Sequence, residues 1–221
     1  MTQITYEQIK ENKKINTYIS IGNEVLGVLG YTDHSKVHAI KVAETAAKIL
    51  KELGYSKREI ELAKIAGFMH DMGNSVNRHD HAHHGALMAF QILSDLGMED
   101  SEIAQIIAAI GNHDEDTGTA VTPISAAIIL ADKTDVRRNR VRNADMASFD
   151  NHDRVNYAAI ESRVTVNKEK GIIKLDIELD ETICSILDYF EIFLKRMLMC
   201  RRAAELLDTK FKFTANGNKV Y

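Results

Sequence analysis

The segment Phe68-Met69-His70-Asp71-Met72-Gly73-Asn74 constrains this chain more than any other. It closes an amphipathic helical pattern with an imidazole beside a carboxylate, and a glycine follows almost at once. Both groups are costly to bury unless something binds or pairs with them. A lone His-Asp pair arises by chance in a chain this long. Here, however, seven of the nine histidines fall between residues 34 and 84. Imidazole is the commonest metal ligand, and clusters of His and Asp mark metal or catalytic sites. Function is expected in that cluster.

Helical spacing recurs in Val42, Ala46, Ile49, Leu50 and Leu53, and again in Ile60, Ala63, Ile65, Phe68 and Met69. With Gly54 and Gly73 as C-terminal caps, these patterns predict helices over 35–53 and 57–71. Further helices are expected over about 82–96, 100–112 and 123–138, joined by short loops. Near residue 160 the period changes to two. Arg163–Val166 and Ile173–Leu179 alternate around Asn167–Gly171, which reads as a β-hairpin with positive φ at Gly171. A long helix follows, with Ile183, Ile186, Leu187, Phe190, Phe193, Leu194, Met197 and Leu198 on one stripe. That stripe packs into the core or forms a homodimer interface. Lys210–Thr214 alternates again and is a candidate third strand. The fold class is therefore mainly α, α+β overall: a helical domain over 1–158, then a small antiparallel hairpin or sheet and a long helix over 159–221.

Composition narrows the class. The chain has 221 residues, 45% of them hydrophobic and 27% charged, enough for a sizeable globular core. It contains one proline, Pro123, and no low-complexity linker. No apolar run is long enough for a membrane span, and Met1–Lys14 is polar with no signal-like apolar stretch. A net charge of -4 argues against a stable nucleic-acid complex. Cys184 and Cys200 lie too far apart on one helix to pair, so a reducing cytoplasm is the expected location.

The candidate ligands come in chain order. His34 and His38 share a face if both lie on one helix, with Thr32 or Asp33 as its N-cap. His70 and Asp71 close the second helix. His81, His83 and His84 lie in Arg78-His-Asp-His-Ala-His-His-Gly85, at the entry of the third. His113 and Asp114 follow Gly111-Asn112, and Asp132 interrupts the apolar helix Ala126–Ala131. Beside Asp132, Lys133 and Arg137 suit a phosphate clamp, while Arg138, Arg140 and Arg142 read as a solvated helix end. Asn74, Asn77 and Arg78 stand on the loop after the central pair, where substrate contacts often lie. His79 and His152 read as surface histidines.

The order of a histidine, then His-Asp, then a distant aspartate resembles the HD superfamily of metal-dependent phosphohydrolases, from residue 34 to about 142. His38, in His38-Ala-Ile-Lys-Val42-Ala-Glu-Thr-Ala46, His70-Asp71 and Asp132 fill the four core positions. His81, four residues before Gly85, and His113 match the added histidines of two-metal members such as the HD-GYP phosphodiesterases. His34 takes the place where those proteins usually carry glutamate. The Gly-Tyr-Pro signature is absent, and Asn74 stands where a lysine is expected.

The resemblance implies an HD-type helical bundle. Its metal ligands would be His34, His38, His70, Asp71, His81, His113 and Asp132, holding one or two ions of Mn, Fe, Co, Ni, Zn or Mg. Two cations about 3.5–4 Å apart would share Asp71 and hold a hydroxide for in-line attack on phosphorus. Asp71 and Lys133 are the catalytic candidates; Asn74, Arg78, His84 and Arg137 are the substrate-binding ones. The expected activity is hydrolysis of a phosphoester in a nucleotide-like or other small phosphorylated molecule. Two alternatives stay open: a di-iron oxygenase on the same scaffold, and a regulatory module with a vestigial site.

Overall fold

A computed structural model describes residues 3–221. The chain begins with α1 (Tyr6–Lys10), α2 (Lys13–Val28), α3 (Lys36–Leu53) and α4 (Lys57–Met69). It continues with α5 (His81–Asp95), α6 (Asp100–Gly111), α7 (Pro123–Lys133) and α8 (Asn151–Ala158). The C-terminal part is β1 (Ala159–Asn167), β2 (Ile172–Leu179), α9 (Ile186–Leu206), β3 (Lys210–Ala215) and the short β4 (Asn218–Lys219). The fold is mainly α with a small sheet, as the periodicity implies. No helix among the described residues is long and apolar enough to cross a membrane.

Local chemistry sets the helix ends that matter. Ser35, not Thr32 or Asp33, caps α3: its hydroxyl accepts from Val37 N, and Asp33 instead accepts from Ser35. His34 therefore precedes the helix rather than sharing its first turn with His38. Helix α4 starts on a reciprocal Ser56–Glu59 capping box and buries Leu62, Ala63 and Ile65–Met69. It stops at Met69, and Met72–Ser75 forms a 3₁₀ turn directly after Asp71. Gly73 in that turn has no room for a side chain, because a Cβ would collide with the carbonyl of His81. The same lack of bulk lets the first turn of α5 press against the His-Asp corner.

Helix α7 is buried from Ile124 through Ala131 and packs against α3, α4 and α9. It ends at Lys133 rather than near 138, as its pattern suggested. The Thr134 hydroxyl donates back to Leu130 O at 2.6 Å, and Asp135 N bonds Asp132 O, so the chain turns there. Arg138–Arg140 then forms a separate 3₁₀ turn.

The sheet runs β1-β2-β3-β4. The expected β1–β2 hairpin is antiparallel and turns through Gly171 at φ 58°. Strand β3 joins β2 in parallel, so the sheet as a whole is mixed. The cause is α9, a 21-residue crossover that returns the chain to the end where β2 began. Ile173, Leu175, Phe211 and Phe213 are buried, and Phe213 packs against Tyr189 and Phe190 of α9. On that helix Phe193 and Met197 are buried, while Leu187 and Leu194 face outward. One continuous apolar cluster joins this part to the helices of the first part.

Candidate metal centre

Five helix ends converge on one point. His38 comes from the first turn of α3, His70 and Asp71 from the end of α4, His81 from the start of α5, and His113 from the loop after α6. Asp132 comes from the last turn of α7. Asp71 stands in the middle. Its Oδ2 lies 3.1 Å from His70 Nε2 and 3.7 Å from His38 Nε2. Its Oδ1 lies 3.5 Å from His81 Nε2 and 3.7 Å from His113 Nε2. Asp132 Oδ1 completes the first group, 3.2 Å from His38 Nε2 and 3.8 Å from His70 Nε2. These atoms form overlapping triads of ligand geometry: His38-His70-Asp71, His70-His113-Asp132 and Asp71-His81-His113.

The outer nitrogen of each ring decides what the inner one can do. His38 Nδ1 donates to Asp135 Oδ2 at 2.8 Å, and His70 Nδ1 to Gly67 O at 2.8 Å. His81 Nδ1 donates to Arg78 O at 3.1 Å and His113 Nδ1 to Ile110 O at 2.6 Å. An acceptor oxygen at Nδ1 puts the proton there, so in the neutral ring Nε2 presents a lone pair to the centre. The Nε2 atoms of His38 and His70 are buried and make no hydrogen bond. Those of His81 and His113 face each other at 3.2 Å, and Arg78 Nη1 also approaches His81 Nε2 at 3.4 Å. The first arrangement is unfavourable alone, and a divalent cation satisfies both.

Charge supports the same fit. Burial raises the cost of ionising Asp71, but the cationic His70 outweighs it and holds the carboxyl well below its usual range. Asp132 is lowered likewise, with Lys133 overcoming burial. Burial, aided by His113, pushes His81 down to about 3, and burial lowers His113 as well. His70 is the exception: burial opposes its charge, yet Asp71 and Asp132 raise it to about 10. Ionised carboxylates and neutral imidazoles are the forms that bind a cation, and at His70 a proton competes for the position.

The centre forms the floor of a cleft of about 730 Å³, within the range of small-molecule sites. Arg78, Lys133, Arg140 and Arg196 line it, with Asp114 and Glu115. Lys133 is buried and holds Asp132 Oδ2 at 2.8 Å. Asn74 lies behind the wall, its amide donating to Asp71 O at 3.0 Å and to Asp71 Oδ1 at 2.9 Å. Arg78 sits at the mouth over the Tyr31 ring. His34 lines the cleft with its ring edge toward His38, but belongs to none of the triads. His84 lies outside the lining, with Nδ1 buried and unpartnered. Arg137 also lies outside; its Nε and Nη2 grip Asp135 at 2.6 and 2.9 Å.

Three contributors escape the sequence pattern. Asp135, which orients His38, sits one turn beyond a helix expected to continue. Arg140 is turned inward by the break after Lys133. Arg196 arrives from α9 and pairs with Glu115 at 3.2 Å, a contact no local spacing announces.

Buried histidines and carboxylates at converging helix ends, with imidazole nitrogens facing inward, form a group that could hold a divalent metal. Residues 37–140 match the HD domain family, the family whose metal-dependent phosphohydrolases the sequence resembles. It is 31% identical over 163 residues to uncharacterized protein MJ1020 of Methanocaldococcus jannaschii, covering 63% of this chain and 62% of that one. Over 112 residues it is 30% identical to ribonuclease Y of Enterococcus faecalis, covering 51% of this chain and 20% of that enzyme. Ribonuclease Y of Acetivibrio thermocellus is 28% identical over 153 residues, 66% of this chain and 28% of the relative. The chain thus spans less than two thirds of the length of each of these relatives.

Proposed function

We propose that the protein hydrolyses a phosphoester of a nucleotide-like or other small phosphorylated molecule, using two divalent cations. The observation that carries this reading is the position of Asp71, whose two oxygens face two separate sets of imidazole lone pairs. His38, His70 and Asp132 would hold one cation with Asp71 Oδ2, and His81 and His113 the other with Oδ1. Such cations, when bound, polarise a phosphoryl oxygen and make water nucleophilic near neutral pH.

The chain's own residues supply position. Asn74 fixes the rotation of Asp71 by donating to both its carbonyl and its carboxylate. Lys133 holds the second oxygen of Asp132, which turns the first toward His38 and His70. Asp135 sets the tautomer and tilt of His38. Arg78 stands at the mouth, within reach of an anion entering the cleft. The cleft volume suits a small molecule rather than a polymer, and the ribonuclease Y relatives lend support to phosphoester chemistry.

The test is Asp71→Ala, measured for metal per chain and for turnover of a phosphoester panel after loading with Mn²⁺. Loss of metal together with at least a thousand-fold loss of kcat, an order of magnitude set by metal-assisted catalysis, is expected. Full metal content with full activity would sink the reading.

A further inference from the structure

Arg140 belongs to a basic run that reads as solvated, yet it is 5% exposed and lines the cleft. Its Nε donates to Asp33 O at 2.9 Å and its Nη1 to Asp135 O at 2.7 Å. Its own carbonyl accepts from Asp33 N at 2.7 Å. These bonds fix the guanidinium between the loop before α3 and the turn after α7, and Nη2 takes part in none of them. A planar cation held in this way loses little further freedom when it meets an anion.

Its nearest carboxylate is also shared. The nearest carboxylate is Asp135, 3.6 Å from Nη1. Asp135 already accepts two bonds from Arg137, at 2.6 and 2.9 Å, and one from His38 Nδ1 at 2.8 Å. Lys133 is committed to Asp132. Arg140 thus shares its nearest carboxylate with Arg137, with Asp132 and Asp71 acting at longer range, and its Nη2 stays available to an anion that enters the cleft.

We infer that Arg140 binds the phosphate of the substrate and selects a phosphomonoester over a diester; this rests on the phosphohydrolase reading above. A monoester phosphate carries three terminal oxygens and up to two negative charges near neutral pH, whereas a diester carries two and one. The additional oxygen and charge match a guanidinium placed beside the metal ligands rather than among them. Arg137 shares the carboxylate but not the cleft, which makes it the natural comparison.

The experiment uses the full chain loaded with Mn²⁺ and three probes: p-nitrophenyl phosphate, bis(p-nitrophenyl) phosphate, and inorganic phosphate as inhibitor or ligand. Wild type is expected to prefer the monoester and to bind phosphate. Arg140→Lys should lower kcat/KM for the monoester about ten-fold, the scale of one charge-assisted hydrogen bond. It should change the diester value little and weaken phosphate binding by a similar factor, with metal per chain unchanged. Arg137→Met should leave the monoester-to-diester ratio where it is. An unchanged ratio and unchanged phosphate affinity in Arg140→Lys overturn the inference, as does an equal shift in Arg137→Met. If the Arg140 variant misfolds, wild type still decides, because a diester preference or no phosphate binding overturns it. A wild type that binds phosphate through Arg140 but hydrolyses neither ester would leave the anion site standing and remove the hydrolase reading.

Discussion

His38 and His70 sit behind the wall of the cleft, whereas His81 and His113 line it. The anchoring differs as well. In the inner half, His38 leans on the Asp135 carboxylate and Asp132 on the Lys133 ammonium. In the outer half, both histidines lean on carbonyls of their own local turns, Arg78 O and Ile110 O. A carboxylate partner makes an imidazole a stronger ligand than a carbonyl does, because it stabilises positive charge moving onto the ring. On the proposed two-cation reading, the half that contains His38 should hold its cation more tightly than the half formed by His81 and His113, although His70 also leans on a carbonyl, Gly67 O.

The largest effect should come from removing each half in turn. The His81→Ala/His113→Ala variant is expected to fall from about two metals per chain to about one, and the remaining ion should survive dialysis against a weak chelator. His70→Ala should also fall to about one, but that ion should be lost in the same dialysis. Elemental analysis before and after dialysis checks both. If the two variants retain metal equally well, the halves are equivalent and the comparison collapses.

A smaller effect is expected at Asp135. Asp135→Asn keeps the shape of the hydrogen bond to His38 and removes its charge, which should weaken binding in the inner half about ten-fold. The outer half has no side chain in the corresponding role, so its affinity should hold. Competition titration with a metal indicator resolves the two steps. Weakening of the second step instead of the first would show that Asp135 acts through the fold rather than through His38.

The parts of this centre that were legible in the sequence are those fixed by local rules. His70, Asp71, His81 and His113 each stand where a strongly periodic helix starts or stops, but the resemblance to two-metal HD proteins, rather than spacing, picks His81 and His113 out from their neighbours. Asp132 stood out as the one acid in an apolar helix. The misplacements share one cause, a competition between close alternatives at a helix end. Ser35 won the cap of α3 over Thr32 and Asp33, which put His34 outside the helix. The Thr134 turn ended α7 early, which turned Arg140 inward and left Arg137 against Asp135. The parallel pairing of β3 and the reach of Arg196 depend on where α9 docks, and no local pattern encodes that.

The smallest effect distinguishes the halves by a proton. His70 is raised to about 10, so at pH 6 its Nε2 carries a proton that a cation must displace. His81 is lowered to about 3, so at pH 6 it is already neutral and releases nothing. His113 is lowered in the same direction. Filling the inner half at pH 6 should therefore release more protons than filling the outer half. The choice of pH matters, because water on a bound cation ionises nearer pH 7 to 9 and would add protons of its own. Metal-free protein titrated with Mn²⁺ in weak buffer, with a pH indicator, reads the count at each equivalent. Equal release at both steps would mean that Asp71 and Asp132 do not hold a proton on His70, and the electrostatic difference between the halves would then be lost even if their affinities differ.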